Sequence, residues 1–300
     1  MISIQNLTKR FGDVLAVDRL ELEIEAGEVF GFLGPNGAGK TTTVRMLTAL
    51  IAPTSGSARL NGFVLGRENR EIRQSVGLLT ETPGVYENLS AIYNLRVYAA
   101  LYGIAAPEAQ IQKYLSMLGL WERRNDPAGT FSKGMRQKLA LARALLHEPR
   151  ILFLDEPTAA LDPEAARLVR DFIAGLRAEG RTIFLCTHNL AEAERLCDRV
   201  AVFKTRLLAV DTPANLRRGA LGRRVVFHLG RDARPLTPLL ADLPFVEACE
   251  AHESKLVVTL ADPESHNPEI VRLLVAQGVD IQFIGELRRS LEDVYLNLVH

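Results

Sequence analysis

Apolar and polar positions alternate at the start of the chain. ISIQNL (2–7) and AVDRLELEIE (16–25) read as half-buried strands, with FGD between them as a turn. The pattern then changes. EVFGFLG (28–34) is nearly all apolar and ends in glycine, as a buried parallel strand does when it feeds a tight turn. GKTTTVRMLTALIA (39–52) follows with helical spacing, so the order is strand, glycine-rich loop, helix. RLNGFVLGR (59–67) reads as a small hairpin and SVGLLT (75–80) as a short strand. From Tyr86 to about Leu120 the spacing is helical, with Pro107 in the first turn of a second helix. A helix is predicted from about Lys133 to His147, then a buried strand RILFLDEP (150–157). AARLVRDFIAGLRAEG (165–180) is an amphipathic helix closed by Gly180. TIFLCTH (182–188) is a third buried strand, LAEAERLC a helix, and VAVFK and LLAVD strands.

A polar, glycine-containing stretch near residues 211–222 interrupts this order, and the pattern restarts beyond it. VVFHL (225–229), FVEACEA (245–251) and KLVVTLA (255–261) are predicted strands. PEIVRLLVAQG (268–278) is a predicted helix, VDIQFIG (279–285) a strand and SLEDVYLNLV (290–299) a last helix. These elements predict a small α+β domain after the larger α/β one. No internal repeat or low-complexity segment is visible.

Composition narrows the partners. Hydrophobic residues make up 47% of the 300, enough for a real core. Lys plus Arg equals Asp plus Glu at 36 each, so nucleic acid is not an obvious partner. Cys186, Cys197 and Cys249 are far apart and in no metal-ligand spacing, which reads as free thiols in a reducing compartment. The first residues contain no apolar signal-peptide core. No run of about 18 apolar residues occurs, so any membrane role is expected to come through another chain.

Two segments carry chemistry. GPNGAGKT (34–41) matches G-x-x-x-x-G-K-[ST] between a buried strand and an amphipathic helix. Gly34, Pro35, Asn36, Gly37, Ala38 and Gly39 would turn the backbone tightly and aim N–H groups inward at phosphates. Lys40 would reach the β- and γ-phosphates, Thr41 would offer its hydroxyl to Mg²⁺, and Thr42 continues the helix start. In RILFLDEP, Asp155 stands at the carboxyl end of a strand, where it can hold the metal's hydration shell. Glu156 follows it and can orient or deprotonate an attacking water. Together these predict ATP and Mg²⁺ as ligands of a nucleotide hydrolase.

FSKGMRQKLALARALLHEPRILFLDEPTAALDP (131–163) resembles the signature-to-Walker-B region of ABC-type ATPases. The usual signature reads Leu-Ser-Gly-Gly-Gln. Here Phe131 opens the segment, Ser132 and Gly134 match, and Phe131, Lys133 and Met135 depart. The form is similar to the subgroup that drives drug, sodium or polysaccharide exporters, pairing the ATPase with a separate multi-helix permease. The resemblance implies an α/β, P-loop NTPase cassette over residues 1–215. Its expected parts are a RecA-like parallel-sheet core, an antiparallel β subdomain and a helical subdomain at about 86–148. A small α+β accessory domain is expected over 216–300, similar to the C-terminal extension of that subgroup.

The resemblance also implies roles residue by residue. Ser132, Lys133, Gly134 and Met135 would cap the γ-phosphate bound by a second copy, giving a head-to-tail dimer around two ATP molecules. Phe11 matches the aromatic that stacks on adenine, Asp162 the D-loop acid at the dimer interface, and His188 the switch histidine that contacts the γ-phosphate. Glu156 would be the catalytic carboxylate. Glu81 stands where the family has Gln beside the metal; glutamate can ligate Mg²⁺ through oxygen but brings an extra negative charge. The segment TPGVYENLSAIYNL (82–95) would receive the permease's cytoplasmic helix. The implied protein is an ATP-hydrolysing export subunit, cytoplasmic and peripheral on the inner face of the cell membrane. Its rivals are a non-transport ABC ATPase, which usually carries two cassettes or a long coiled-coil insert, and an ATP-gated regulatory module.

Overall fold

A computed structural model describes residues 1–159, 161–219, 223–287 and 290–299. Residues 220–222 of the predicted boundary, and Ala160 of the AALD segment, lie outside the described residues. The chain divides into two compact units, Met1–Pro213 and Ala214–Leu298.

In the first unit β1 (Ile2–Phe11) and β2 (Val14–Ile24) form a hairpin, and β3 (Val29–Leu33) leads into α1 (Lys40–Leu47). After these come β4 (Ser55–Leu60), β5 (Phe63–Val64), α2 (Asn69–Ser75) and β6 (Val76–Leu79). A helical stretch holds α3 (Ala91–Tyr102), α4 (Glu108–Met117) and α5 (Lys133–Leu145). The unit closes with β7 (Ile151–Asp155), α6 (Pro163–Ala178), β8 (Thr182–Thr187), α7 (Leu190–Leu196), β9 (Arg199–Lys204) and β10 (Arg206–Asp211). Strands β2-β1-β4-β5 make an antiparallel sheet. The second sheet has the order β10-β9-β3-β8-β7-β6 and is parallel except at β10.

The continuous apolar runs of β3, β7 and β8 are buried along their whole length, as central parallel strands are. Phe30, Phe32, Phe153, Phe184 and Phe203 are fully buried among these strands, and Phe32 and Phe184 have ring centroids 5.1 Å apart. Each such side chain contributes about 1.5–3 kcal/mol by leaving water, which fixes the strand ends rigidly. Helix α5 is capped by Ser132, whose Oγ accepts the Met135 N–H at 3.2 Å.

The second unit begins with α8 (Pro213–Gly219) and β11 (Arg223–Leu229). It continues through α9 (Thr237–Ala241), β12 (Val246–His252), β13 (Lys255–Leu260), α10 (Pro263–Ala276), β14 (Ile281–Leu287) and α11 (Leu291–Val299). Its antiparallel sheet has the order β12-β13-β11-β14, and one face packs Val225, Phe227, Leu256 and Val258 with Ile270 and Leu274 of α10.

The structure corrects several sequence expectations. Helix α10 starts at Pro263, so Pro268 lies inside it rather than at its first turn. A proline φ suits a helix, but at this position the ring removes one donor and crowds the carbonyl four residues back, so the helix carries a local cost there. The polar stretch read as a boundary contains α8, a helix not expected there. Helices α2 and α9 were not expected; α2 buries only Ile72 and α9 only Leu240, too little apolar material for a periodic signal.

Candidate functional site

Strands β3, β7 and β8 end together at one edge of the parallel sheet. The residues that follow them converge there, as ligand-binding groups do at the carboxyl ends of parallel strands. The loop from Pro35 to Thr42, Glu81, Asp155, Glu156 and His188 line one cleft of about 370 Å³. Ala16 and Ala159 complete its wall.

Space dictates the loop's glycines. A Cβ on Gly34 would lie 2.2 Å from the Phe203 carbonyl oxygen, and one on Gly39 would lie 2.3 Å from that of Ala16. Gly39 also has φ +102°, a conformation that favours glycine. It caps α1 without a side-chain hydrogen bond, and the first turn of α1 carries no acid. The first N–H groups of α1 and its positive end are therefore left for an anion. Lys40 is buried, and its ammonium donates to the carbonyls of Gly34 (2.7 Å) and Pro35 (3.2 Å), which holds it along the loop.

Thr41 Oγ1 donates to Asp155 Oδ2 at 2.8 Å, joining loop and strand end. Burial pushes the Asp155 carboxyl above its ordinary value; the Thr41 hydrogen bond opposes this, Glu156 and Glu81 add to it, and Lys40 opposes it. Hard oxygen donors in a surplus of negative charge fit a magnesium ion that keeps water and phosphate in most of its shell. Among the described residues no group of three or more His, Cys, Asp or Glu could hold a metal.

Glu156 has φ +52° in the left-handed region, and its N–H donates to the Cys186 carbonyl at 2.9 Å. This turn swings its side chain towards β8. His188 Nδ1 lies 2.8 Å from Glu156 Oε1, so Nδ1 carries the proton that the carboxylate accepts. The glutamate side chain is 11% exposed and the histidine 63%, so the imidazole faces the open side of the pair.

Other residues singled out in the sequence stand apart. Phe11 ends β1 half-exposed, does not line the cleft, and has Lys9 Nζ 4.9 Å from its ring centroid. Ser132, Lys133, Gly134 and Met135 form the start of α5 and do not line the cleft of their own chain. A Cβ on Gly134 would meet Leu161 and Ala165 at 3.6 Å, so this segment lies beside the start of α6. Asp162 caps α6, accepting the Ala165 N–H at 2.8 Å. Two residues near the site were not singled out in the sequence: Thr187, whose Oγ1 is 3.5 Å from Glu156 Oε2, and Glu192, buried behind it. Thr187 could have been found as the neighbour of His188; Glu192 carries no signal in a charged helical stretch.

Comparison with known proteins gives the family. The family model described as ABC transporter matches residues 17–159. The chain is 35% identical over 300 residues to the bacitracin transport ATP-binding protein BcrA of Bacillus licheniformis, covering 100% of this chain and 97% of the relative. It is 37% identical over 302 residues to the Nod factor export ATP-binding protein I of Burkholderia thailandensis, covering 99% and 96%. A solved ATP-binding subunit of an ABC transporter superposes with a TM-score of 0.68 at 31% identity, over 73% of this chain and 92% of that one. A dimeric post-hydrolysis state of the ATP-binding cassette MJ0796, bound to ADP and Pi, superposes with a TM-score of 0.66 at 25% identity, over 71% and 98%.

Proposed function

The chain belongs to the family of ABC transporter ATP-binding subunits, ATPases that act as dimers, and from that premise we propose a residue-level account of how it energises export through a separate membrane permease. The observation that carries this reading is the 2.8 Å bond from Thr41 to Asp155, which brings the phosphate loop and the acidic strand end to one cleft. In this reading the N–H groups from Gly37 to Thr42 and the Lys40 ammonium bind the ATP phosphates, and Phe11 stacks on adenine. Thr41 and Asp155 would hold Mg²⁺, with Glu81 as a further contact; the metal would neutralise charge on the phosphates. Glu156 accepts a proton from the attacking water, and His188 orients it and meets the γ-phosphate.

Two copies close head to tail, each offering Ser132 to Met135 and Asp162 to the other's nucleotide. Closure delivers the work and hydrolysis resets it. The export direction is supported by the name of the Nod factor relative; that of the bacitracin relative says transport. Their cargoes differ, bacitracin in one and Nod factor in the other, at similar identity to this chain. Cargo choice therefore belongs to the permease.

No helix among the described residues is long and apolar enough to cross a membrane, which suits a subunit that docks on a permease from the cytoplasmic side. A second cavity of about 390 Å³ supports a docking place beside the TPGVYENLSAIYNL segment: Arg70, Arg73, Tyr98, Leu101 and Arg143 line it, and Leu101 is 73% exposed. The small second unit is assigned an accessory role.

The test is Glu156→Gln. Expected are unimpaired ATP binding, a long-lived ATP-bound dimer in gel filtration, and turnover reduced about 100-fold or more, the range of a lost general base. Near-normal steady-state phosphate release by this variant overturns the assignment.

A further inference from the structure

Glu192 on α7 is 3% exposed although it carries a carboxylate. A buried carboxylate needs partners, because its desolvation otherwise costs several kcal/mol, so the partners it has chosen are informative. Thr158 Oγ1 lies 2.8 Å from Oε1 and 2.9 Å from Oε2, and Thr187 Oγ1 lies 3.4 Å from Oε2. These threonines belong to different segments. Thr158 is in the turn after Glu156, where the Ala159 N–H donates to the Glu156 carbonyl at 3.1 Å. Thr187 ends β8 directly before His188, accepts the Asn189 N–H at 3.0 Å, and approaches Glu156 Oε2 at 3.5 Å.

Helix α7 does not need this side chain as a cap, since Asn189 Oδ1 already accepts the Glu192 N–H at 3.1 Å. Glu156, by contrast, needs outside support. A left-handed φ in a non-glycine residue costs about 1–2 kcal/mol and persists only where the surroundings fix it. We propose that Glu192 is a positioning residue for hydrolysis: its buried carboxylate ties Thr158 to Thr187 and so holds Glu156 and His188 in their 2.8 Å contact. Glu192 does not line the cleft and acts only through these threonines. The inference rests on the reading of Glu156 as the group that activates water.

The test compares the full-length wild type with Glu192→Ala, Glu192→Gln and Thr158→Val, measuring phosphate release, KM for ATP, affinity for a fluorescent ATP analogue, and Tm. Glu192→Ala is expected to lower kcat about tenfold while KM and nucleotide affinity stay within about twofold, the signature of a lost transition-state contribution. Glu192→Gln keeps an acceptor for Thr158 and gains a donor towards Thr187, so kcat is expected within about threefold of wild type. Thr158→Val cuts the tether with an isosteric side chain, and its kcat loss is not expected to add to that of Glu192→Ala. Unchanged kcat in Thr158→Val and Glu192→Ala overturns the proposal. So does a Glu192→Gln loss equal to that of alanine, or a nucleotide affinity that falls in step with kcat. If Glu192→Ala does not fold, Thr158→Val and Glu192→Gln decide the matter. Wild-type turnover that Glu156→Gln abolishes leaves the functional reading standing in each of these cases; a wild type without turnover overturns that reading instead.

Discussion

His188 Nδ1 and Glu156 Oε1 meet at 2.8 Å across the ends of the neighbouring strands β8 and β7. The pairing restrains both side chains: the carboxylate is aimed into the cleft and the imidazole presents Nε2 outward. In the proposed mechanism the histidine does more than line a wall, because it would fix the orientation of Glu156 towards the attacking water. His188→Ala is therefore expected to lower turnover by about 100-fold, within the range for an acid–base pair, and to leave ATP binding intact. Single-turnover phosphate release checks this; activity above half of wild type would remove His188 from the mechanism.

Burial of the ionised Asp155 carboxylate opposes folding of the nucleotide-free protein. The carboxyl is pushed up by burial, with Glu156 and Glu81 adding to the effect. The folded-state pKa therefore lies above the unfolded value near 4. Stability linked to this group is fully present below the unfolded value and is lost as pH rises through the folded one. Asp155→Asn carries no charge to desolvate, so the nucleotide-free variant is expected to melt higher than wild type at pH 7. The gap should narrow as pH falls towards 4. Adding ATP with magnesium should raise the Tm of wild type but raise that of the variant far less. Differential scanning fluorimetry across pH, with and without ligand, checks both signs.

Gly134 separates the fold from the dimer. It lies in the first turn of α5, its φ is not left-handed, and a methyl there would meet Leu161 and Ala165 at an ordinary 3.6 Å. Gly134→Ala should cost the isolated subunit nothing and could add up to about 1 kcal/mol through helix propensity. In the proposed head-to-tail dimer this segment meets the second copy's γ-phosphate, and there the added methyl would hold the two copies apart. The expected result is an unchanged or higher Tm with loss of ATP-dependent dimerisation and turnover. A variant that dimerises and hydrolyses normally would place the composite site elsewhere.

The site was legible where sequence neighbours are also chemical neighbours. GPNGAGKT and LDEP each lie within one strand-turn unit, and their flanking apolar runs announce the strands that bring them together. What escaped was tertiary. Glu192 stands in LAEAERLC beside Glu194, and no helical period tells which acid faces inward. Pro268 misled because a proline usually opens a helix, whereas here Asp262 caps α10 ahead of Pro263. Asp162 reads from the sequence as a D-loop acid, and the structure shows it as the cap of its own helix. The capping role follows from Pro163 at the first helical position, a signal the sequence does carry.

The groove beside α3 offers a test that leaves the ATP site alone. Leu101 is 73% exposed on α3 and lines the cavity with Arg70, Arg73 and Arg143. An exposed leucine stabilises its own fold little, so replacing it should leave Tm within about 1 °C, as surface changes usually do. Leu101→Arg would bring a further cation and remove the apolar contact at once, with no acid among the residues lining the cavity to offset it. The purified subunit should hydrolyse ATP as wild type does, since the cleft shares no lining residue with this groove. Copurification with a multi-span membrane partner should fall sharply, along with any stimulation of ATPase activity by that partner. Full recovery of the complex by Leu101→Arg would move the docking surface away from α3, whereas loss of basal ATPase activity would mean that the groove and the cleft are mechanically joined.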